Sequence, residues 1–402
     1  MADPVLINIG YIVAILLIGL LSSIISRKLR IPNLLLLILV GMGIGYIKYN
    51  NQPIVQFSPI FLTSLAIITL AMVVFDSSSR FNFRKFDTLS LSALKLSLIF
   101  LLINLVFLST MAFYVFKPAH FFLAILFAAV VSGTDPSSIL MILAGAKLKV
   151  FELLRVESIL NTPLIVLIPF LLIDILKNAA EESTLALISA QLLPFAQQFV
   201  VGIGTGILIG LVFFRFMKKY YSAVLSPLAF IIVALLTYTG AEALGGNGVL
   251  SVTSAGILFG NLYHVKHIKL LQKFGEIFAQ VFEILVFVLI GTVIKIPWTG
   301  EFLIPASILF AAYLVMRFAS IQLSFLKSSY TLKEKLYMTL NIPKGIAVAV
   351  VAFTLATKAI AGIEGILNLI FLFMIYSIVL STVVTHFSKF FTKVEVKIPK
   401  EK

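Results

Sequence analysis

The sequence lacks cysteine, is poor in charged residues and has no extended polar segment. Of its 402 residues only 12% are charged and none is cysteine, whereas 60% are hydrophobic. The mean hydropathy is +1.11. Without cysteine, a disulfide framework and a thiolate metal site are both excluded. Because soluble domains carry about 25% charged residues, this composition predicts an all-α polytopic membrane protein, with residues 1–402 forming a single transmembrane domain.

Sequence motifs of catalysis are also missing. The sequence contains no phosphate-binding loop, no zinc-protease helix and no pattern typical of a catalytic triad. We therefore expect a protein that is not an enzyme and has no cofactor. The net charge of +14 is compatible with nucleic-acid binding in principle. However, the basic residues lie in short loops between apolar runs, which favours a lipid bilayer as the partner and argues against nucleic acid.

Apolar runs of about 20 residues predict about thirteen membrane-spanning helices. They cover approximately residues 4–26, 32–48, 58–76, 89–116, 120–145, 152–175, 192–214, 223–242, 247–263, 276–295, 302–325, 335–357 and 363–387. Of the 31 Lys and Arg residues, 22 lie in one alternate set of loops and 5 in the other. Because Lys and Arg mark cytoplasmic loops, we expect a multi-pass protein of the cell membrane, with its N-terminus outside and its C-terminus in the cytoplasm.

Two of these spans are interrupted by polar residues and proline. The fifth contains Asp135-Pro136, and the twelfth contains the segment 341–345, Asn-Ile-Pro-Lys-Gly. An arrangement of six helices, a linker and six helices makes these spans partners in an inverted repeat. Interrupted helices at corresponding positions are typical of transporters with a midplane site. We expect the two helices to cross, with Asp135 and Lys344 each facing a helix end of opposite charge.

Asp135 and the sixth span carry the candidate site residues. A carboxylate in an apolar span indicates a cavity, a proton relay or an ion path, although Asp135 is also compatible with a purely structural helix cap. In the sixth span Glu157, Ser158, Asn161 and Thr162 share adjoining parts of one helical face. This face predicts ion ligands near Asp135, with interhelical hydrogen bonding as the alternative for the uncharged residues.

Other ionisable residues that we expect to be buried within the predicted spans are Glu157, Glu242, Glu283, Arg317 and Lys344. An unpaired charge in lipid is costly, so we expect some of them to pair. A structural ion pair of Glu157 with either Lys344 or Arg317 is favoured. Glu242 and Glu283 are interpreted as pairing or packing groups. Asp76, at the end of the third span, is either an interfacial residue or a ligand at the entrance.

The order and spacing of these motifs resemble a known family. The residues concerned are Thr134-Asp135-Pro136, Glu157 to Asn161, Tyr238 to Glu242, Gly248, Gly256, Gly260, Phe282-Glu283, Gly291, Arg317 and Lys344-Gly345. Together they are similar to the sodium/proton antiporters of the NhaP and eukaryotic exchanger branch of the cation/proton antiporter superfamily. The resemblance covers nearly the whole chain and implies exchange of a monovalent cation, Na⁺ or K⁺, for H⁺.

The resemblance also implies an architecture and a set of roles. A core part, approximately residues 89–175 and 302–388, would move against a dimerisation part, approximately 1–88 and 223–300, with a linker helix at 192–214. This implies a homodimer. Thr134, Asp135, Ser158 and Asn161 fall on the ion site, Asp76 falls where relatives have an acidic residue near the cation, and Glu157 falls on the structural acid that pairs with a base.

One position departs from the family pattern. Relatives usually have Asn-Asp or Asp-Asp in the sixth helix, where the second residue is the main exchanging carboxylate, whereas this chain has Asn161-Thr162. A hydroxyl can bind a hard cation but cannot carry a proton at physiological pH. Either Asp135, helped by Asp76, exchanges the proton, or the protein differs in coupling, selectivity or competence. One alternative is therefore a cation-binding or locked form without exchange. A separate alternative on the same architecture is an ion-coupled carrier of organic anions.

Overall fold

The structure is a computed structural model. It describes residues 4–29, 32–49, 52–53, 55, 57–81, 88–135, 149–178, 184–219, 225–262, 268–326, 330–357 and 360–391. The predicted fifth span is therefore described only as far as Asp135, and Pro136 lies outside the described residues.

Helices make up nearly all of the described chain. They are α1 (Pro4–Leu29), α2 (Asn33–Tyr46), α3 (Pro59–Ser79), α4 (Thr88–Ile103), α5 (Ser109–Phe116), α6 (Phe121–Val131), α7 (Lys149–Asn178), α8 (Thr184–Lys219), α9 (Leu225–Ala243), α10 (Gly248–Leu262), α11 (Ile268–Val293), α12 (Gly300–Ser324), α13 (Leu332–Leu340), α14 (Ile346–Ala356), α15 (Ile363–His386) and α16 (Ser388–Phe391). One turn of π-helix, Asn104–Leu108 (hereafter the π-turn), joins α4 to α5. Two strands of two residues, β1 (Lys48–Tyr49) and β2 (Gln52–Pro53), pair antiparallel.

The helices confirm the predicted all-α membrane fold. Among the described residues, eight helices are long and apolar enough to cross a membrane, and five shorter apolar helices have 10–17 residues. The observed ends lie within a few residues of most predicted ends. The count of thirteen spans and the inverted repeat stay predictions.

The chain divides into two compact units, of which the first contains residues 1–66, 89–158 and 281–402. Its centre is formed by two short helices, α6 and α14. Residues 126–131 of α6 and 347–353 of α14 are all buried, as expected for helices that are apolar on every side. The rings of Phe127, Phe310 and Tyr313 pack around Phe373. In the same unit Gly41 on α2 lies against the backbone of Val288 and Gly291 on α11, so small residues allow close helix contact.

The second unit contains residues 67–88 and 159–280. Helices α8, α9 and α10 pack against one another there. Gly202 and Gly206 on α8 lie against the backbone of Asn247 and Ser251 at the start of α10. Gly202 and Gly206 therefore allow α8 to pack closely against α10. This division by packing does not test the predicted division into core and dimerisation parts, which stays a prediction.

Candidate functional site

The first interrupted helix ends earlier than its proline. Helix α6 stops at Val131, and residues 133–135 have no regular structure. Ser132 and Thr134 are buried, and Asp135 is partly exposed. The chain therefore carries an acidic side chain a few residues after the end of an apolar helix.

The second interrupted helix breaks at the predicted segment. Helix α13 ends at Leu340, α14 begins at Ile346, and the residues between them are buried. The backbone N–H of Asp135 donates to the carbonyl of Pro343 at 2.9 Å. The two breaks therefore meet, as expected for crossed discontinuous helices.

The Asp135 carboxylate lies at the N-terminus of α14. Gly345 is the N-cap residue of this helix, and a Cβ atom added at Gly345 would overlap the carboxylate of Asp135. Only glycine leaves room for that approach. The N-terminus of a helix carries partial positive charge and is a favourable place for an acidic side chain.

Lys344 lies at the opposite kind of helix end. Its fully buried ammonium donates to the carbonyl of Gly133 at 2.7 Å and to the hydroxyl of Tyr313. The same ammonium lies 4.6 Å from the centre of the Tyr313 ring, and the Tyr313 hydroxyl donates to Val131 at 3.3 Å. These carbonyls belong to the C-terminal end of α6, which carries partial negative charge. Each of the two charged residues therefore faces a helix end of opposite sign.

Glu157 on α7 is paired with Arg317 on α12. The guanidinium donates through both Nη atoms to the two carboxylate oxygens at 2.5 and 2.7 Å, and both side chains are fully buried. The guanidinium also lies 4.7 Å from the centre of the Phe100 ring. Of the two bases that the sequence left open for Glu157, the structure has Arg317 as the partner. Lys344 forms no ion pair with an acid in the described ranges, because its donors are directed at Gly133 and Tyr313.

The interpretation of Glu242 as a buried group is wrong. Its side chain is exposed at the end of α9, and its Oε1 accepts a hydrogen bond from the backbone N–H of Gly248 at 2.9 Å. This carboxylate caps the N-terminus of α10, where an acidic residue is favourable. Glu283 on α11 is partly buried.

The remaining candidate residues are divided between the two units. Ser158 is buried in the first unit. Asn161 and Thr162, one turn further along α7, are buried in the second unit. Asp76 also belongs to the second unit, and its carboxylate accepts from the guanidinium of Arg80, the residue that follows α3, at 3.0 Å.

Sequence reasoning missed several residues around the two breaks. Tyr313 holds the Lys344 ammonium, Ser377 accepts from the backbone N–H of Lys344 at 3.1 Å, and Ser381 donates to the Asn341 side chain. A signal was present, since Tyr313 precedes Arg317 by four residues and Ser377, Ser381 and Thr385 repeat at that spacing. Asn104 at the π-turn was also missed, and its polar character in an apolar span was the available sign.

Comparison with known proteins gives matches over most of the chain. The sequence profile of the family described as "Sodium/hydrogen exchanger, transmembrane" matches residues 12–390. The probable Na⁺/H⁺ antiporter 2 of Methanocaldococcus jannaschii is 24% identical over 384 residues, covering 88% of this chain and 86% of that protein. The K⁺/H⁺ antiporter NhaP2 of Shewanella sp. (strain ANA-3) is 29% identical over 262 residues, and the matched region spans only 44% of that longer protein.

A solved structure shows the same fold. The sodium proton antiporter MjNhaP1 from Methanocaldococcus jannaschii superposes with a TM-score of 0.75 at 19% sequence identity. The match covers 96% of this chain and 98% of that one. From the extent of the profile match, this chain belongs to the sodium/hydrogen exchanger family.

Proposed function

We propose that this protein is a secondary active antiporter that exchanges a monovalent cation, Na⁺ or K⁺, for H⁺ across the membrane. Membership of the family supports this proposal, as do the relatives named Na⁺/H⁺ and K⁺/H⁺ antiporters. The observation that carries it is the contact between the end of α6 and the break before α14, with the partly exposed Asp135 at the N-terminus of α14.

Exchange follows from competition for one carboxylate. Ionised Asp135 offers oxygen ligands to a hard cation, and the same oxygens accept a proton. A cation and a proton therefore exclude each other at this residue. One carboxylate of this kind supports one-for-one exchange when the core exposes it to each side in turn.

Further oxygen atoms are proposed as ligands of the ion. Thr134 adds a hydroxyl next to Asp135, and Ser158, Asn161 and Thr162 offer further hydroxyl and amide oxygens from one face of α7. Asp76 is proposed as an acidic residue near the entrance. The Glu157–Arg317 pair is proposed as a structural element, because both charges are already satisfied by each other.

The assembly and orientation complete the proposal. We propose a homodimer in which a core part, approximately 89–175 and 302–388, moves against the dimerisation part, with its N-terminus outside and its C-terminus in the cytoplasm. The charge asymmetry of the loops supports the orientation.

Proton flux in proteoliposomes tests the proposed exchange. Purified protein is reconstituted with a pH-sensitive dye inside the vesicles, and NaCl, KCl or choline chloride is added outside. Proton movement that depends on Na⁺ or K⁺ and is absent with choline is the expected result. Equal responses to all three salts, or to none, would contradict the proposal.

Thr162 favours a second candidate function. This threonine stands at the position where the family resemblance implies the exchanging aspartate. In that case the protein binds a cation without exchanging it. A Thr162→Asp variant separates the two. A strong gain of exchange over a silent wild-type protein supports the binding form, whereas active wild-type protein that loses exchange on substitution supports Asp135 as the carrier.

A further inference from the structure

Asn104 occupies an unusual position in the first unit. It begins the π-turn Asn104–Leu108 between α4 and α5, and its side chain is fully buried. Turns of this kind are rare in helices and frequently occur at functional sites. A polar amide in the middle of an apolar span also needs hydrogen-bond partners, because lipid and apolar side chains supply none. The contacts of the amide therefore indicate why it is there.

The Asn104 amide holds the last turn of α6. Its Nδ2 donates to the Ser132 hydroxyl at 2.9 Å, and that hydroxyl donates to the carbonyl of Ala128 at 2.7 Å. Ser132 follows the final residue of α6 and precedes Asp135 by three positions. The hydrogen bond from Asn104 is therefore made at the point where the chain leaves the helix.

The other half of the amide has no partner within the described part of the chain. The Oδ1 atom of Asn104 is buried and accepts no hydrogen bond there, and a flipped amide would leave Nδ2 unpaired instead. Leaving such an atom buried and unpaired costs more than one typical hydrogen bond returns. A leucine of similar size avoids that cost, so stability alone does not account for asparagine at this position.

We propose that Asn104 is a positioning residue for Asp135, acting through Ser132; this inference rests on the proposed exchange function. Contacts with other elements hold the segment 132–135 in place, and three of them are relevant to the position of Asp135. Two are contacts of the break itself, from Lys344 to the Gly133 carbonyl and from Asp135 to the Pro343 carbonyl. The third, from Asn104 to Ser132, comes from a separate element and sets the direction in which the segment leaves α6. The Asp135 carboxylate keeps its place at the N-terminus of α14 only if that direction is fixed.

An Asn104→Leu variant tests the inference with two measurements. We expect a melting temperature equal to or above that of the wild-type protein, because the unpaired buried oxygen is removed. We also expect exchange at saturating cation to fall at least about tenfold, since small displacements of a reacting group cost large factors in rate. Thr110→Val is the matched control in the helix that follows the π-turn, because the Thr110 hydroxyl only donates to the Val106 carbonyl and is exposed.

The Ser132→Ala variant removes the same hydrogen bond from the other side and carries the test if the leucine variant does not fold. The double variant is expected to be no slower than the slower single variant, because the two residues act as one unit. Lower stability with unchanged exchange, or losses that multiply in the double variant, would overturn the inference. Wild-type protein without cation-dependent exchange would overturn the proposed function instead, so the two failures are distinct.

Discussion

At the scale of single residues, the ion pair of Glu157 and Arg317 is the most demanding feature of the described chain. Two charges that are fully removed from solvent are stable there only because each satisfies the other. A Glu157→Gln variant leaves a buried guanidinium without its counter-charge. We expect a loss of roughly 3–5 kcal/mol in the free energy of unfolding, measured as a lower melting temperature in detergent.

A double substitution provides the control for that prediction. Replacing a whole buried pair with apolar side chains of similar volume is often neutral. Glu157→Leu combined with Arg317→Met is therefore expected to be more stable than Glu157→Gln alone. A Glu157→Gln variant that melts at the wild-type temperature would contradict a structural role for the pair.

At the scale of elements, the close approach of Asp135 to the N-terminus of α14 depends on Gly345. A Gly345→Ala variant places a methyl group where the Asp135 carboxylate lies, so the acid must move away from the N-terminus of α14. We expect exchange to fall by about a factor of 100 while the protein still folds. The measurement is cation-dependent proton flux, with the melting temperature as the check on folding.

Gly365→Ala on α15 is the matched control, because a Cβ at that position meets no atom within 4 Å. It is expected to behave as the wild-type protein in both measurements. If Gly345→Ala retained full exchange, the close approach of Asp135 to α14 would be unnecessary for transport.

The positions of the helices and of their breaks could be predicted from the sequence more accurately than the contacts between helices. Apolar runs located most helices to within a few residues, and proline beside a polar residue located both breaks, because these signals are local along the chain. The partner of Glu157, the ligands of Lys344 and the exposure of Glu242 depend on which helices meet. A single sequence does not show directly which helices are in contact. Asn104 could not be assigned for the same reason, since its partner lies 28 residues away.

At the scale of the whole molecule, the asymmetry of basic loops predicts the orientation in the membrane. The absence of native cysteine makes single-cysteine labelling a direct test, because no background reaction occurs. Ala119→Cys lies in the predicted external loop after Lys117. Leu332→Cys, at a side chain that is 61% exposed, lies in a predicted cytoplasmic loop.

An impermeant maleimide added to intact cells is expected to label the Ala119→Cys variant alone. The Leu332→Cys variant is expected to react only after the membrane is permeabilised. The reverse pattern would show that the charge asymmetry has been interpreted with the wrong sign.

The proposed exchange mechanism depends on Asp135 as the residue that exchanges cation for proton. Its most direct test is cation-driven proton flux in proteoliposomes containing the Asp135→Asn variant, compared with wild-type protein. Glu301→Gln makes the same chemical change at an exposed residue in the first turn of α12 and serves as the control. We expect Asp135→Asn to abolish the flux and Glu301→Gln to leave it unchanged. Undiminished exchange by folded Asp135→Asn protein would contradict the proposed mechanism.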